Sequence, residues 1–272
     1  MTTAWLTVRQ GAAPLIVSLP HTGTDIPPDI EADLVSPWLA RKDADWWIER
    51  LYAFAADLDA TVVRTAMSRT VVDVNRDPGG VSLYPGQTTT GLCPLETFDG
   101  EALYRPEAEP NVVEIGRRRA AYFDPYHAAL AAQITRLRET HRAVVLYDAH
   151  SIRSRVPRLF DGDLPQFNIG THSGASCDPA LAATVAAVCA ASGMSHVVNS
   201  RFKGGYITRR YGDPTHGVHA IQMELACRGY MREPPSLTAD TWPTPYDPQF
   251  AAPMAGVLRE VLTACVAFGT AK

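Results

Sequence analysis

The sequence predicts one α/β domain over residues 1–272, a mixed but largely parallel sheet with helices on both faces. Two observations predict it. Short apolar runs of strand character alternate with helix-periodic stretches along the chain, which is the pattern of strand–helix–strand crossovers. Several strand candidates also end in His, Asp or Glu, and open α/β sheets bind ligands beyond the C-terminal ends of their strands.

Leu15–Leu19 is an apolar run ended by Pro20, as in a strand buried on both faces. From 45 to 58, Ile48, Leu51, Phe54, Ala55 and Leu58 recur at helical spacing, with Asp43 or Asp45 placed to cap the start. Thr61–Thr65 and 70–74 read as two β-branched strands. Residues 112–140 form a long helical region interrupted by Pro125, and 143–147 is another buried strand. Phe167–Gly170, 196–199 and 218–225 are further strands, separated by an Ala-rich helix over 178–192. A last helix covers 248–267. The Pro/Gly-rich stretch 77–110 is too long for a plain connection and is expected to form a lid or binding loop.

Composition narrows the function classes. With 46% hydrophobic and 20% charged residues the chain reads as an ordinary globular protein, and strand–helix alternation favours one large core over two small ones. A formal charge of −4 gives no footprint for nucleic acid or an anionic membrane. The Arg117-Arg118-Arg119 run is expected to be a solvated helix face. No apolar run reaches the roughly 18 residues of a bilayer span. No basic segment followed by an apolar one opens the chain, and the five cysteines are scattered without a Cys-x-x-Cys pair. The expectation is therefore a reducing cytoplasm, with neither a disulfide framework nor a thiolate zinc site.

The polar residues at strand ends carry the chemistry. His21 follows the first strand, His150 follows the 143–147 strand, and Glu224 lies in or near the end of another. Two imidazoles and a carboxylate are a common first shell for catalytic zinc, and a further carboxylate can take a proton from water. Apolar neighbours should raise the Glu224 pKa towards neutrality. Asp148 shares a strand face with His150 and can orient its ring. Each residue also has a plainer reading. His21 and His150 can be hydrogen-bonded structural residues, Asp45 a helix cap, and Glu224 half of a buried ion pair with Arg209 or Arg228. Tyr206, His216 and His219 either enter the site or are ordinary loop residues. The segment from Ser68 to Arg76, with Arg153, Arg155, Arg158, Arg209 and Arg210, offers cations for a small anionic substrate, or else surface ion pairs.

Seven stretches resemble the N-formylglutamate amidohydrolase family, and within it the deformylases that end one route of histidine degradation. They are Pro20-His21-Thr22-Gly23, Asp43-Ala44-Asp45-Trp46, Val72-Asp73-Val74-Asn75-Arg76, 148–154, 159–165, 202–209 and Gln222-Met223-Glu224. They run in order across about residues 14–231. The resemblance implies a hydrolase fold like that of the zinc carboxypeptidases. It implies Zn2+, or another divalent transition metal, held by His21, Asp45 and His150, with Glu224 as the catalytic carboxylate. Asn75 and Arg76 would hold the substrate carboxylate, and Arg153 and Arg209 are candidates to read a second one. Carboxypeptidases place the acidic ligand three residues after the first histidine, where this chain has Thr24. Asp45 is assigned instead, with Asp25 the alternative. The implied reaction converts N-formyl-L-glutamate to formate and L-glutamate. The rival readings are a relative acting on another N-acyl amino acid or a cell-wall peptide amide, and a non-catalytic dicarboxylate-binding module.

Overall fold

The structure, a computed structural model, describes residues 5–81 and 90–271. Its described residues contain one seven-stranded sheet: β1 (Leu6–Arg9), β2 (Leu15–Leu19), β3 (Thr61–Thr65), β4 (Val144–Ile152), β5 (Phe167–Gly170), β6 (His196–Val198) and β7 (Val218–Ala226). The spatial order is β1-β3-β2-β4-β7-β5-β6. The central strands β3, β2, β4 and β7 run parallel, so their C-terminal ends share one edge. β1 is antiparallel to β3, and β5 is antiparallel to β7, which makes the sheet mixed. The helices are α1 (Pro28–Glu31), α2 (Leu39–Lys42), α3 (Ile48–Leu51), α4 (Val112–Arg118), α5 (Asp124–Arg138), α6 (Pro179–Ala191), α7 (Tyr206–Tyr211) and α8 (Pro248–Ala271).

Strand alternation divides the core in two. Leu15, Val17 and Leu19 of β2 and Val145, Tyr147 and Ala149 of β4 pack with α3, α6 and α8. Ile16, Val144, Leu146 and Ala220 pack on the other face with Tyr126, Leu130 and Leu137 of α5 and Ile207 of α7. Each buried aliphatic side chain contributes roughly 1.5–3 kcal/mol, and a one-residue slip would reverse every face, so this pattern fixes the register. By the same period of two, Ser18, Asp148, His150, Gln222 and Glu224 fall on the α5 face.

α8 is long and apolar enough to match a bilayer span by length and composition. It lays Ala251, Met254, Leu258, Val261, Leu262 and Cys265 against the sheet at helical spacing, as a core helix does. All five cysteines are free and buried.

The structure departs from the sequence reading at several elements. Residues 70–74 form a buried loop, not a strand, because β1 and β2 already occupy both edges of β3. Asp73 instead receives its backbone partner from Leu92, and the Val71 carbonyl accepts from Cys93. The predicted 45–58 helix breaks at Trp47, whose left-handed backbone (φ 65°) precedes α3, and continues as a 3₁₀ turn over Ala53–Ala56. The helical region around Pro125 is nearly continuous. A π-helical segment, Arg119–Phe123, joins α4 to α5 and accommodates the proline. Arg118 is not on a solvated face: it is buried and donates to Glu114 and to the Tyr104 hydroxyl. β4 runs on through Ile152, so His150 lies inside the strand rather than after it. Of the 77–110 connection, residues 82–89 lie outside the described residues.

Candidate active site

His21 stands two residues beyond β2, after Pro20 has ended the strand. The chain then turns so that the Asp45 N–H donates to the His21 carbonyl at 2.9 Å. This contact, and not a helix cap, places Asp45. Its Oδ2 lies 3.8 Å from His21 Nδ1 and 3.2 Å from His150 Nδ1, and accepts the Ser151 N–H at 3.1 Å. The two histidines present Nδ1 to each other across 3.1 Å. Their outer nitrogens are taken: His21 Nε2 lies 2.7 Å from Asp73 Oδ1, and His150 Nε2 lies 2.9 Å from Asp148 Oδ2. One ligand atom from each of His21, Asp45 and His150 fits within 4.8 Å of the others, and all three residues are buried.

A divalent metal ion fits this arrangement. The Asp45 Oδ1 atom is buried with no hydrogen-bond partner among the described residues. Carboxylates at both Nε2 atoms set the tautomer that leaves Nδ1 with its lone pair. Three buried carboxylates, Asp45, Asp73 and Asp148, face two guanidiniums: the buried Arg69, which ion-pairs with Asp73 at 2.7 Å and with Asp45 at 3.8 Å, and the half-buried Arg76, 3.7 Å from Asp73. With both imidazoles neutral, one net negative charge remains for a cation to offset. The exposed Asp25 takes no part in the cluster.

Protonation follows the same geometry. Burial and the nearby Arg69 hold His21 below its ordinary value. At His150 burial acts in the same direction, but Asp148 and Asp45 outweigh it and push the ring well above its ordinary value. Burial would raise Asp73 too, yet Arg76, His21 and Arg69 hold it well below the carboxylate range. Burial pushes Glu224 up to about 7, against the opposing influence of His150. Glu224 is paired in register with His150, so the two side chains sit on neighbouring strands at one level of the sheet. Its carboxylate accepts from Gln222 Nε2 at 3.2 Å, and not from Arg209 or Arg228, among the described residues.

A cavity of about 610 Å³ opens over this floor, walled by His21, Asn75, His150, Gln222 and Glu224 and by the cations Arg69, Arg76, Arg158 and Arg201. Part of the predicted lid contributes, through Thr90 to Phe98. Arg153 and Arg209 are not in that wall. Arg153 bridges Asp43 and Asp99, and Arg209 Nε donates to the Gly204 carbonyl. Tyr206, His216 and His219 also lie elsewhere. Tyr206 packs on Phe123 and His127, His216 pairs with Asp213, and His219 accepts from the Asp178 N–H. Asp73 and Gln222 lie in the resembling stretches, but the sequence assigns neither a role. The i,i+4 spacing of Arg69 and Asp73 and the i,i+2 spacing of Gln222 and Glu224 were the available signals.

The model of the N-formylglutamate amidohydrolase family matches residues 13–231, a span that holds every residue of the site described above. The chain belongs to the N-formylglutamate amidohydrolase family. It is therefore an enzyme of the hydrolase class. Among its relatives, the N-formylglutamate deformylase of Pseudomonas aeruginosa is 47% identical over 265 residues, covering 97% of each chain. That of Pseudomonas putida is 46% identical, covering 97% of this chain and 96% of the relative. The fold is shared with the crystal structure of N-formylglutamate amidohydrolase from Ralstonia eutropha JMP134, at a TM-score of 0.78, 22% identity and 98% coverage of both chains.

Proposed function

We propose that this family member is a single-domain, zinc-dependent deformylase that hydrolyses N-formyl-L-glutamate to formate and L-glutamate, as a step in histidine breakdown. The observation that carries the reading is the convergence of His21 Nδ1, His150 Nδ1 and Asp45 beside the buried Glu224, in a cavity edged by arginines. The names of the two Pseudomonas relatives supply the substrate. Zinc is the metal of choice because imidazole and carboxylate ligands suit it. Five free cysteines agree with a reducing cytoplasm.

A zinc ion held by His21, Asp45 and His150 would act as a Lewis acid and make water acidic enough to lose a proton near neutral pH. Glu224 accepts that proton, since burial has brought its pKa near 7. The water oxygen adds to the formyl carbon, Glu224 passes its proton to the amide nitrogen, and the C–N bond breaks to release formic acid, which ionises to formate, and L-glutamate. Arg69, in the cavity wall beside Asp45, offers positive charge to the oxyanion that develops on the formyl oxygen. Arg76, with Asn75 next to it, receives the α-carboxylate. Arg158 and Arg201 replace Arg153 and Arg209 as the cations for the side-chain carboxylate, because they line the cavity.

The test is formate release from N-formyl-L-glutamate by purified protein, before chelation, after it, and after zinc is restored. Activity that vanishes with the metal and returns with zinc is expected. A folded, zinc-loaded protein that releases no formate would overturn the substrate assignment.

A further inference from the structure

Gln222 has no part in the chemistry above, yet it is buried and lies in the cavity wall. Two positions before Glu224 on β7, it shares that residue's face of the sheet. Its Oε1 accepts the backbone N–H of Gly205 at 2.6 Å. A backbone N–H can only donate, so this contact decides which end of the amide is oxygen. The NH2 group must be at the other end, and it reaches Glu224 Oε2 at 3.2 Å. No second group among the described residues donates to the Glu224 carboxylate, so Oε1 is left for a reacting proton.

Asn75, in the loop after residues 70–74, repeats the device against Asp148 of the neighbouring strand β4. Asn75 Oδ1 accepts the Ile207 N–H at 2.8 Å, and its NH2 donates to Asp148 Oδ2 at 3.2 Å. Gly205 and Ile207 flank the start of α7, where backbone N–H groups have no partner within the helix. Here those groups lock two buried amides, each of which then donates to a carboxylate of the site. Gly205 must be glycine for this approach, because a Cβ would stand 2.4 Å from Asn75 Nδ2.

We propose that Gln222 is a positioning residue for Glu224: its amide, fixed by the Gly205 N–H, holds one carboxylate oxygen and leaves the other aimed for proton transfer. This rests on the reading of Glu224 as the proton-transfer group.

Two variants separate the contacts. Gln222→Met keeps the length and removes both hydrogen bonds. Gln222→Glu keeps an acceptor for Gly205 but loses the NH2 donor. Both should lower kcat by roughly 10- to 100-fold, as loss of a supporting hydrogen bond does at such sites, while leaving KM nearly unchanged. Combined with Glu224→Gln, Gln222→Met should cost nothing further, because it acts through the residue already disabled. Normal turnover by Gln222→Glu, or losses that multiply in the double variant, would overturn the proposal. Crystal structures of the wild type and both variants supply an arm that needs no substrate. The Glu224 side chain should leave its wild-type rotamer in both variants, and an unmoved side chain overturns the proposal. A wild type that releases no formate refutes the substrate reading, and the rotamer comparison still decides the role of Gln222.

Discussion

His21 and His150 face each other through Nδ1 atoms 3.1 Å apart, each ring held from behind by its own buried aspartate. With both rings neutral, two lone pairs and the Asp45 carboxylate at such range would repel, so the contact calls for positive charge: a proton on His150 or a cation between the rings. The aspartates behind supply the force that keeps the rings facing. The pair therefore has the geometry of a candidate cation site, with both rings held in place from behind.

Metal content follows from that geometry. Purified protein should bind about one zinc ion per chain, as a three-ligand catalytic site does. Substitution of His21, Asp45 or His150 by alanine should abolish binding, while Asp25→Asn should leave it intact, since the exposed Asp25 lies outside the cluster. Zinc measured after dialysis decides the matter. Full zinc content in Asp45→Ala, with loss in Asp25→Asn, would reverse the assignment of the acidic ligand.

Glu224→Gln should keep its zinc and lose turnover by roughly 10²- to 10⁴-fold, the usual weight of a general acid–base group. The amide preserves shape but cannot take a proton. Formate release and zinc content on the same sample provide the check, and near-normal release would remove Glu224 from its role.

The aspartates behind the histidines should matter through the metal. Asp148→Asn and Asp73→Asn are each expected to weaken zinc affinity by roughly 10- to 100-fold, measured by competition with a chromogenic chelator. Asp148 is braced from both sides, by Ser18 Oγ at 2.8 Å and by Asn75 Nδ2 at 3.2 Å. Unchanged affinity in both variants would reduce these carboxylates to packing.

Much of this was legible in the sequence because strand periodicity is local. The runs 15–19 and 167–170 coincide with β2 and β5, and the two-residue step from Asp148 to His150 placed both on one face. What could not be read depends on contacts distant along the chain. Residues 70–74 have strand composition, yet β3 had no edge left to offer them. Asp45 looked like a cap because its true partners, His21 and His150, lie 24 positions before and 105 after it. Charge and position in the resembling stretches make Arg153 and Arg209 candidates, but neither says where a side chain points. Which guanidinium lines the cavity is set by placement distant along the chain: Asp43 and Asp99 hold Arg153 outside the wall, whereas Arg158, paired with Glu96, stays in it.

Arg76 and Arg153 should accordingly fail in different ways. Arg76→Met is expected to raise KM by roughly 10- to 100-fold, from a lost charge-assisted bond of about 1.5–3 kcal/mol. Arg153→Met should leave KM alone and lower the unfolding temperature, since it strands the half-buried Asp43, whose carboxyl burial already pushes up against the pull of Arg153. Steady-state kinetics and thermal melts on both variants separate the two. A rise in KM for Arg153→Met to match that of Arg76→Met would return Arg153 to the substrate.

Acid sensitivity should trace in part to His127, away from the site. Its Nε2–H donates to the Val74 carbonyl at 2.8 Å, Nδ1 meets the Tyr211 hydroxyl at 3.0 Å, and the ring packs on Phe123. Burial holds its pKa down to about 4, against 6.5 for an exposed histidine. The sign is set by which state takes the proton first. Between pH 6.5 and 4 the unfolded chain gains a proton that the folded chain refuses, so stability falls as pH falls through that window. Above 6.5 neither state is charged, and below 4 both are. The accumulated loss is roughly 3 kcal/mol. His127→Gln keeps an N–H for Val74 and has no group to titrate. Its unfolding temperature should therefore fall less steeply than that of the wild type between pH 6.5 and 4.5, both measured without metal. Parallel curves would show that His127 contributes nothing to the acid limb.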